Sequence, residues 1–278
     1  MLPTPPAAGT PMLSPTALAG RAILICTAFD HWPLALAAAG ELARSGAHVA
    51  FLSSDSELPC QDEYPSFVLD ELEAESLERQ LAMIEEHTGP LNGLVYLPPY
   101  QPPCPGESMD FATWRRHTHQ ALDLSFLLTT RLAARCQARG IPGTMVQVVD
   151  RAAWSGAPGQ VHTAAISAAL QTMDKTLAVE WARSDIRLNT IVPGPFVGDV
   201  SPEHALAARQ DRELADTLPA RRLGELQEFG WAVAFLCSPY AAYITGATFI
   251  IDGGNHLRRS ISGPPFLSVP QWQQLETC

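Results

Sequence analysis

Residues 160–195 read QVHTAAISAALQTMDKTLAVEWARSDIRLNTIVPGP, and the fold is decided there. The first two-thirds are strong helix formers with Ala, Leu and Val along one stripe, so a long helix is predicted. Ser184-Asp185 reads as a short turn, and Ile186 to Val192 is an apolar run of strand length that stops at Pro193-Gly194. A long helix, a tight turn and a buried strand ended by Pro-Gly make up the carboxy-terminal half of a doubly wound α/β domain.

The same alternation extends outward in both directions. Strands are expected over 21–26, 48–52, 67–70, 91–97, 144–149 and 247–251, besides the one at 186–192. Helices are expected over 34–45, where Gly46 ends the run, and over 71–87, 109–139 and 225–236. Prolines between 98 and 105 predict a rigid irregular loop, and the polar stretch 201–218 a mobile helical lid. Residues 20–254 thus form one Rossmann-like domain, a parallel sheet with helices on both faces and a ligand crevice at the carboxyl ends of its strands. Residues 1–19, with prolines at 3, 5, 6, 12 and 15, are expected as a disordered or loosely packed arm, and residues 255–278 as a tail with turns at Gly263-Pro264-Pro265.

The stretch resembles the short-chain dehydrogenase/reductase family, whose text reads Tyr-x-x-x-Lys-Ala-Ala-Leu, Leu-Ala-x-Glu, Ile-Arg-Val-Asn and Pro-Gly. Ala168-Ala169-Leu170, Leu177-Ala178-Val179-Glu180, Ile186-Arg187-Leu188-Asn189 and Pro193-Gly194 fall in that register. Further on, Arg222-Leu223-Gly224-Glu225, Tyr243-Ile244-Thr245-Gly246 and Ile251-Asp252-Gly253-Gly254 match in order. The resemblance covers residues 20–254 and implies an NAD(P)-dependent oxidoreductase fold.

The chemistry that the resemblance implies is missing at the positions where it belongs. In the family a Gly-rich turn after the first strand lets backbone amides approach the cofactor's pyrophosphate. In register its glycines are Thr27, His31 and Pro33, and the side chains of His31 and Trp32 are expected to occupy the phosphate volume. Asp30 would add a negative charge there, or simply cap the helix that Pro33 starts. Ser53 and Ser54 stand where a ribose-binding acid belongs, Tyr96-Leu97-Pro98-Pro99 replaces Asn-Asn-Ala-Gly, and Asp70 alone keeps an adenine-side position, which a turn or capping role explains equally well. The catalytic asparagine, serine, tyrosine and lysine positions read Ala121, Asp150, Thr163 and Ser167, and the single lysine, Lys175, lies two turns past the required place. Hydride transfer by the family mechanism is therefore not expected, and no cofactor is expected. The alternative is a divergent ketoreductase-like enzyme that binds NAD(P) through an unusual loop.

Asp150, His31 and His162 remain as candidates for non-redox acid-base work in a vacated cleft that a small molecule would fill. Against that stand structural roles: His162 in a loop, Asp150 paired with Arg151, and His117 and His119 on a solvated helix face. Members of the family assemble through the helices beside the site and the last strand. The small residues Ala164, Ala165, Ala168 and Ala169 are kept, so a homodimer or homotetramer is expected, or a mixed oligomer with an active paralogue. The net charge of −11 argues against a nucleic-acid or anionic-membrane partner, since the pairs Arg115-Arg116, Arg221-Arg222 and Arg258-Arg259 are isolated. Six cysteines without Cys-x-x-Cys spacing suit reduced thiols and no metal, the start lacks a signal peptide's pattern, and no run of eighteen apolar residues exists; a cytoplasmic protein is expected.

Overall fold

The computed structural model describes residues 12–28, 31–54, 58–69, 72–99, 102–198 and 211–257. Its strands are β1 Ala22–Thr27, β2 His48–Ser53, β3 Ser66–Val68, β4 Gly93–Tyr96, β5 Gly143–Val148, β6 Ile186–Pro193 and β7 Thr248–Ile251. They form one sheet in the order β3-β2-β1-β4-β5-β6-β7, and every pairing is parallel. Every residue of β1, β4 and β5 is buried, which is why these segments are apolar runs without alternation.

Alternate residues of each strand feed two separate cores. Ile23, Ile25, Phe51, Val95 and Val146 pack with α1 (Trp32–Arg44) and α7 (Leu226–Cys237). Leu24, Cys26, Leu52, Leu94 and Met145 pack with α2 (Ala74–Thr88), α4 (Leu124–Arg139) and α5 (Val161–Trp181). Arg135 ties α4 to α2 through Glu78 and Glu85, each at 2.6 Å. Two short helices, α3 (Phe111–Thr118) and α6 (Asp211–Thr217), complete the described elements.

Several boundaries differ from the sequence expectation for local reasons. The first helix begins at Trp32, because Pro33 has the fixed φ of a helical first turn. The region expected as one helix over 109–139 is α3, a π-helical turn at His119–Asp123, and α4. Residues 12–19 are packed rather than loose: Leu13 and Leu18 are buried, the Leu18 N–H donates to the Ser45 carbonyl at 2.8 Å, and the Met12 N–H to Glu41 Oε1 at 2.9 Å. Residues 1–11, most of the expected lid (199–210) and most of the tail (258–278) lie outside the described residues.

α1 and α7 cross closely at Gly230. A Cβ there would lie 2.5 Å from the Ala37 carbonyl oxygen, a backbone atom that cannot swing aside. Ala is the better helix former by about 1 kcal/mol, yet overpacking costs about 1–3 kcal/mol, so Gly230→Ala is expected to lower stability. Urea denaturation checks the sign.

Candidate functional site

In an open parallel sheet the ligand crevice lies where the strand order reverses, here between β1 and β4. Thr27 closes β1, buried, its hydroxyl donating to the Ala28 carbonyl at 3.2 Å. His31 precedes α1, and its ring lies against the Pro98 backbone beyond β4. Burial pushes the imidazole down to about 4, only partly offset by that contact, so the ring is neutral at pH 7. The contact links the turn after β1 to the turn after β4 across the crevice.

Trp32 does not share that position, contrary to the sequence expectation. It is buried in the α1 core with its ring 5.3 Å from Phe51, because the first residue of α1 faces β2 rather than the strand ends. Pro33 sits in the first turn of α1, where it offers no N–H. Ser53 ends β2 fully buried. Asp30 and Asp70 lie outside the described residues. A cleft of about 340 Å³ remains, with Thr27, Ser54, Tyr96, Pro99 and Gln120 among its walls and Leu69, Leu72 and Leu124 supplying apolar surface.

Tyr96 adds a feature that its place in the sequence does not announce. Its ring is fully buried and its hydroxyl donates to the Ala121 carbonyl at 2.8 Å, with the Gln120 carbonyl at 3.3 Å. Those carbonyls are available because residues 119–123 form a π turn, whose wider ring breaks the ordinary i→i−4 ladder. Burial raises the phenol well above its ordinary value, so it stays protonated and acts as a structural donor.

Ala121, Asp150, Thr163 and Ser167, expected at the catalytic positions, lie around the start of α5 and carry packing groups. Ala121 is buried in the π turn, and Thr163 is half-buried in the first turn of α5. Ser167 is buried, its hydroxyl accepting the Asp150 N–H at 3.1 Å. Asp150 Oδ1 accepts the Ala152 N–H at 2.6 Å and so caps the short helical turn at Arg151–Ala153. His162 is in helix, not loop: it is the second residue of α5, 1% exposed, and its ring stacks at 5.2 Å on His117. His117 is therefore buried, which corrects the solvated face expected for it, whereas His119 is exposed and pairs with Asp123 at 2.9 Å. Asp150 caps a short helical turn, His31 stands before α1, and His162 stacks on His117.

One buried acid escaped the sequence reading. Asp174 on α5 is 1% exposed; Oδ2 accepts the Thr190 hydroxyl at 2.9 Å and Oδ1 has no hydrogen-bond partner among the described residues. Burial raises its pKa to about 8. The available signal was its spacing, since 166, 170, 174, 177 and 181 form one stripe of the helix. Among the described residues no helix is long and apolar enough to cross a membrane.

A family model described as enoyl-(acyl carrier protein) reductase matches residues 28–256. Dehydrogenase/reductase SDR family member 4 of Homo sapiens is 31% identical over 252 residues, 87% of this chain and 89% of its own length. Nodulation protein G of Azospirillum brasilense is 31% identical over 182 residues, 65% of this chain and 72% of its own. Among solved structures, a short chain dehydrogenase from Bacillus anthracis superposes with a TM-score of 0.75 at 26% identity, covering 88% of this chain and 99% of its own. A gluconate 5-dehydrogenase from Burkholderia cenocepacia, solved with NADP and tartrate, shares the fold at a TM-score of 0.76 and 23% identity, covering 88% and 98%.

Proposed function

This chain belongs to the short-chain dehydrogenase/reductase family of oxidoreductases, and from that premise we propose that it has lost hydride transfer and works as a non-redox, oligomeric binding protein. The observation that carries this reading is the His31 contact to Pro98, which bridges the crevice where a dinucleotide's phosphates would lie. A pyrophosphate is held by open backbone amides at a helix start, and an imidazole packed there with Pro33 two residues on does not offer them. The residues present do not fit the phosphates of NAD(P). The catalytic positions agree, since Ala121, Asp150, Thr163 and Ser167 supply neither a phenol with a neighbouring ammonium nor a carbonyl-holding serine. Calorimetric titration with NADPH tests the reading.

The second reading, an enzyme that seats NAD(P) through an unusual loop, draws on the NADP bound in the Burkholderia structure. It requires His31 to leave Pro98 on binding. In the first reading the 340 Å³ cleft takes a small ligand without phosphates, because no Arg or Lys lines it among the described residues.

Oligomerisation is supported by an exposed apolar groove between α4 and α5, lined by Leu122, Phe126, Leu127, Ala169 and Met173, with Phe126 49% exposed. Light scattering at micromolar concentration is expected to give a dimer or tetramer, and Phe126→Glu combined with Met173→Glu a monomer. A monomeric wild type that forms no mixed oligomer with an active relative would remove this part of the proposal. Its site of action is proposed to be the cytoplasm: Cys26, Cys60, Cys136 and Cys237 are buried free thiols, which suits a reducing compartment.

A further inference from the structure

We propose that a second cavity, at the carboxyl ends of β6 and β7, binds a small neutral hydroxyl compound through Nε2 of His256, independently of the crevice between β1 and β4. The cavity holds about 300 Å³, the lower end of the range for small-molecule sites. Phe196, Leu218 and Ile250 give it apolar walls, and Asp252 and His256 line it together with the ion pair Arg222–Glu228.

The imidazole is held by the turn that ends β7. Gly253 and Gly254 take left-handed φ values of 62° and 84°, which bring the chain back onto Asp252. The Asp252 carboxylate then meets three groups: the Gly254 N–H at 2.9 Å, the His256 N–H at 2.6 Å and His256 Nδ1 at 3.0 Å. Its side chain is 4% exposed, and Gly194 after β6 packs against it so closely that a Cβ there would lie 2.5 Å from Asp252 Cα. A carboxylate accepts and does not donate, so Nδ1 carries the ring proton and Nε2 is left as an acceptor. Nε2 makes no hydrogen bond among the described residues, and the side chain, 31% exposed, lines the cavity.

The other charged walls are engaged with each other or with the turn. Arg222 grips Glu228 through both terminal nitrogens, each at 2.7 Å, and Asp252 is taken up by its three donors. An anion would meet two carboxylates and no unpaired cation, and an ammonium would lose its water without gaining an unpaired carboxylate. A neutral O–H needs one acceptor, which Nε2 supplies, and its apolar body is covered by Phe196, Leu218 and Ile250. The Phe196 ring is held in that wall by Gly224, where a Cβ would lie 2.5 Å from it. No Ser, Thr or Cys lines the cavity among the described residues, so the imidazole has no hydroxyl or thiol of the protein to engage there, and a ligand hydroxyl takes that place.

Titration of the full-length protein with p-cresol at pH 8, followed through the imidazole nitrogen resonances, tests the site. The His256 signal, identified by its loss in His256→Gln, is expected to show a protonated Nδ1 and a bare Nε2, and p-cresol to move the Nε2 resonance. The opposite tautomer, or a resonance that p-cresol leaves in place, overturns the proposal. p-Toluate and 4-methylbenzylamine carry the same apolar body with an anion or a cation, and each is expected to bind about fivefold more weakly or worse; equal or tighter binding by either overturns it. His256→Phe keeps a ring and removes the acceptor, so p-cresol is expected to bind this variant about fivefold more weakly or not at all, and an unchanged affinity is fatal. Should that variant fail to fold, the wild-type resonances and the two charged analogues decide.

Discussion

Titrated with NADPH or NADH, the wild-type protein is expected to show no binding up to cofactor concentrations of about 1 mM, which corresponds to less than roughly 4 kcal/mol of binding. The reason is geometric. A Gly-rich turn gives several amide bonds to charged phosphate oxygens, each about 1.5–3 kcal/mol, and two of them separate micromolar from millimolar affinity. Here Thr27 is buried, His31 reaches across to Pro98, and Pro33 has no N–H to give. Restoring the catalytic positions alone, with Asp150→Ser, Thr163→Tyr and Ser167→Lys, is expected to leave ketoreduction undetectable, because the hydride donor has no seat. Two of those changes also remove structural bonds, since the Ser167 hydroxyl accepts the Asp150 N–H and the Asp150 carboxylate caps Ala152. Adding Thr27→Gly, His31→Gly and Pro33→Gly reopens the turn, and weak NADPH binding is expected only then. A dissociation constant of about 10 µM or tighter for the wild type, some 7 kcal/mol, would overturn the proposed function in favour of the enzyme reading.

Replacing Asp174 by Asn is expected to stabilise the protein by about 2–4 kcal/mol at pH 8, raising Tm by roughly 5–15 °C for a domain of this size. The folded carboxyl is raised to about 8 against an ordinary value of 3.8, so between those limits the native state holds a proton that the unfolded chain has released. Stability from this group is therefore greatest below about pH 4, is lost as pH rises towards 8, and is flat above that. Asn reproduces the neutral form at every pH, its oxygen still accepting from the Thr190 hydroxyl. The gain of Asp174→Asn should thus be largest at alkaline pH and vanish near pH 4. Parallel urea melts at pH 5 and pH 8 check it, and a pH-independent difference would mean that the carboxylate is not the destabilising species. His31, held near 4 by burial, titrates with the opposite sign, its contribution falling as pH drops below about 6.5, so the two effects can be separated in one pH series.

The sheet and its helices were legible because their signals are local. Apolar runs of four to eight residues between turn signals are strands, and a long run of helix formers ended by a turn is a helix, whatever the rest of the chain does. The register of Ile186-Arg187-Leu188-Asn189 with its neighbours follows from the same motif, and the Asn189 side chain indeed bonds both the Ile244 carbonyl and the Ala247 N–H at the next strand. The identities at 27, 31, 33, 121, 150, 163 and 167 were equally plain, and the proposed loss of hydride transfer is read from them.

What those side chains do instead was settled by partners far away along the chain. His31 meets backbone 67 positions on, His117 stacks on a ring 45 positions on, and Tyr96 donates 25 positions on to carbonyls that only a π turn leaves accessible. Trp32 turned into the core rather than the cleft for the same reason, since its direction depends on where Phe51 lies. Asp174 is the intermediate case: its stripe on α5 was readable, but a carboxylate on a buried stripe is unusual, so spacing alone did not say that it would be buried. The sequence by itself determined the α/β architecture and the residues that stand at each motif position, because both rest on residue identity and short-range spacing. Tertiary structure decided which of the replacements bridge, cap, stack or lie buried with an unusual pKa, because those outcomes depend on distance and dielectric between elements that the sheet brings together.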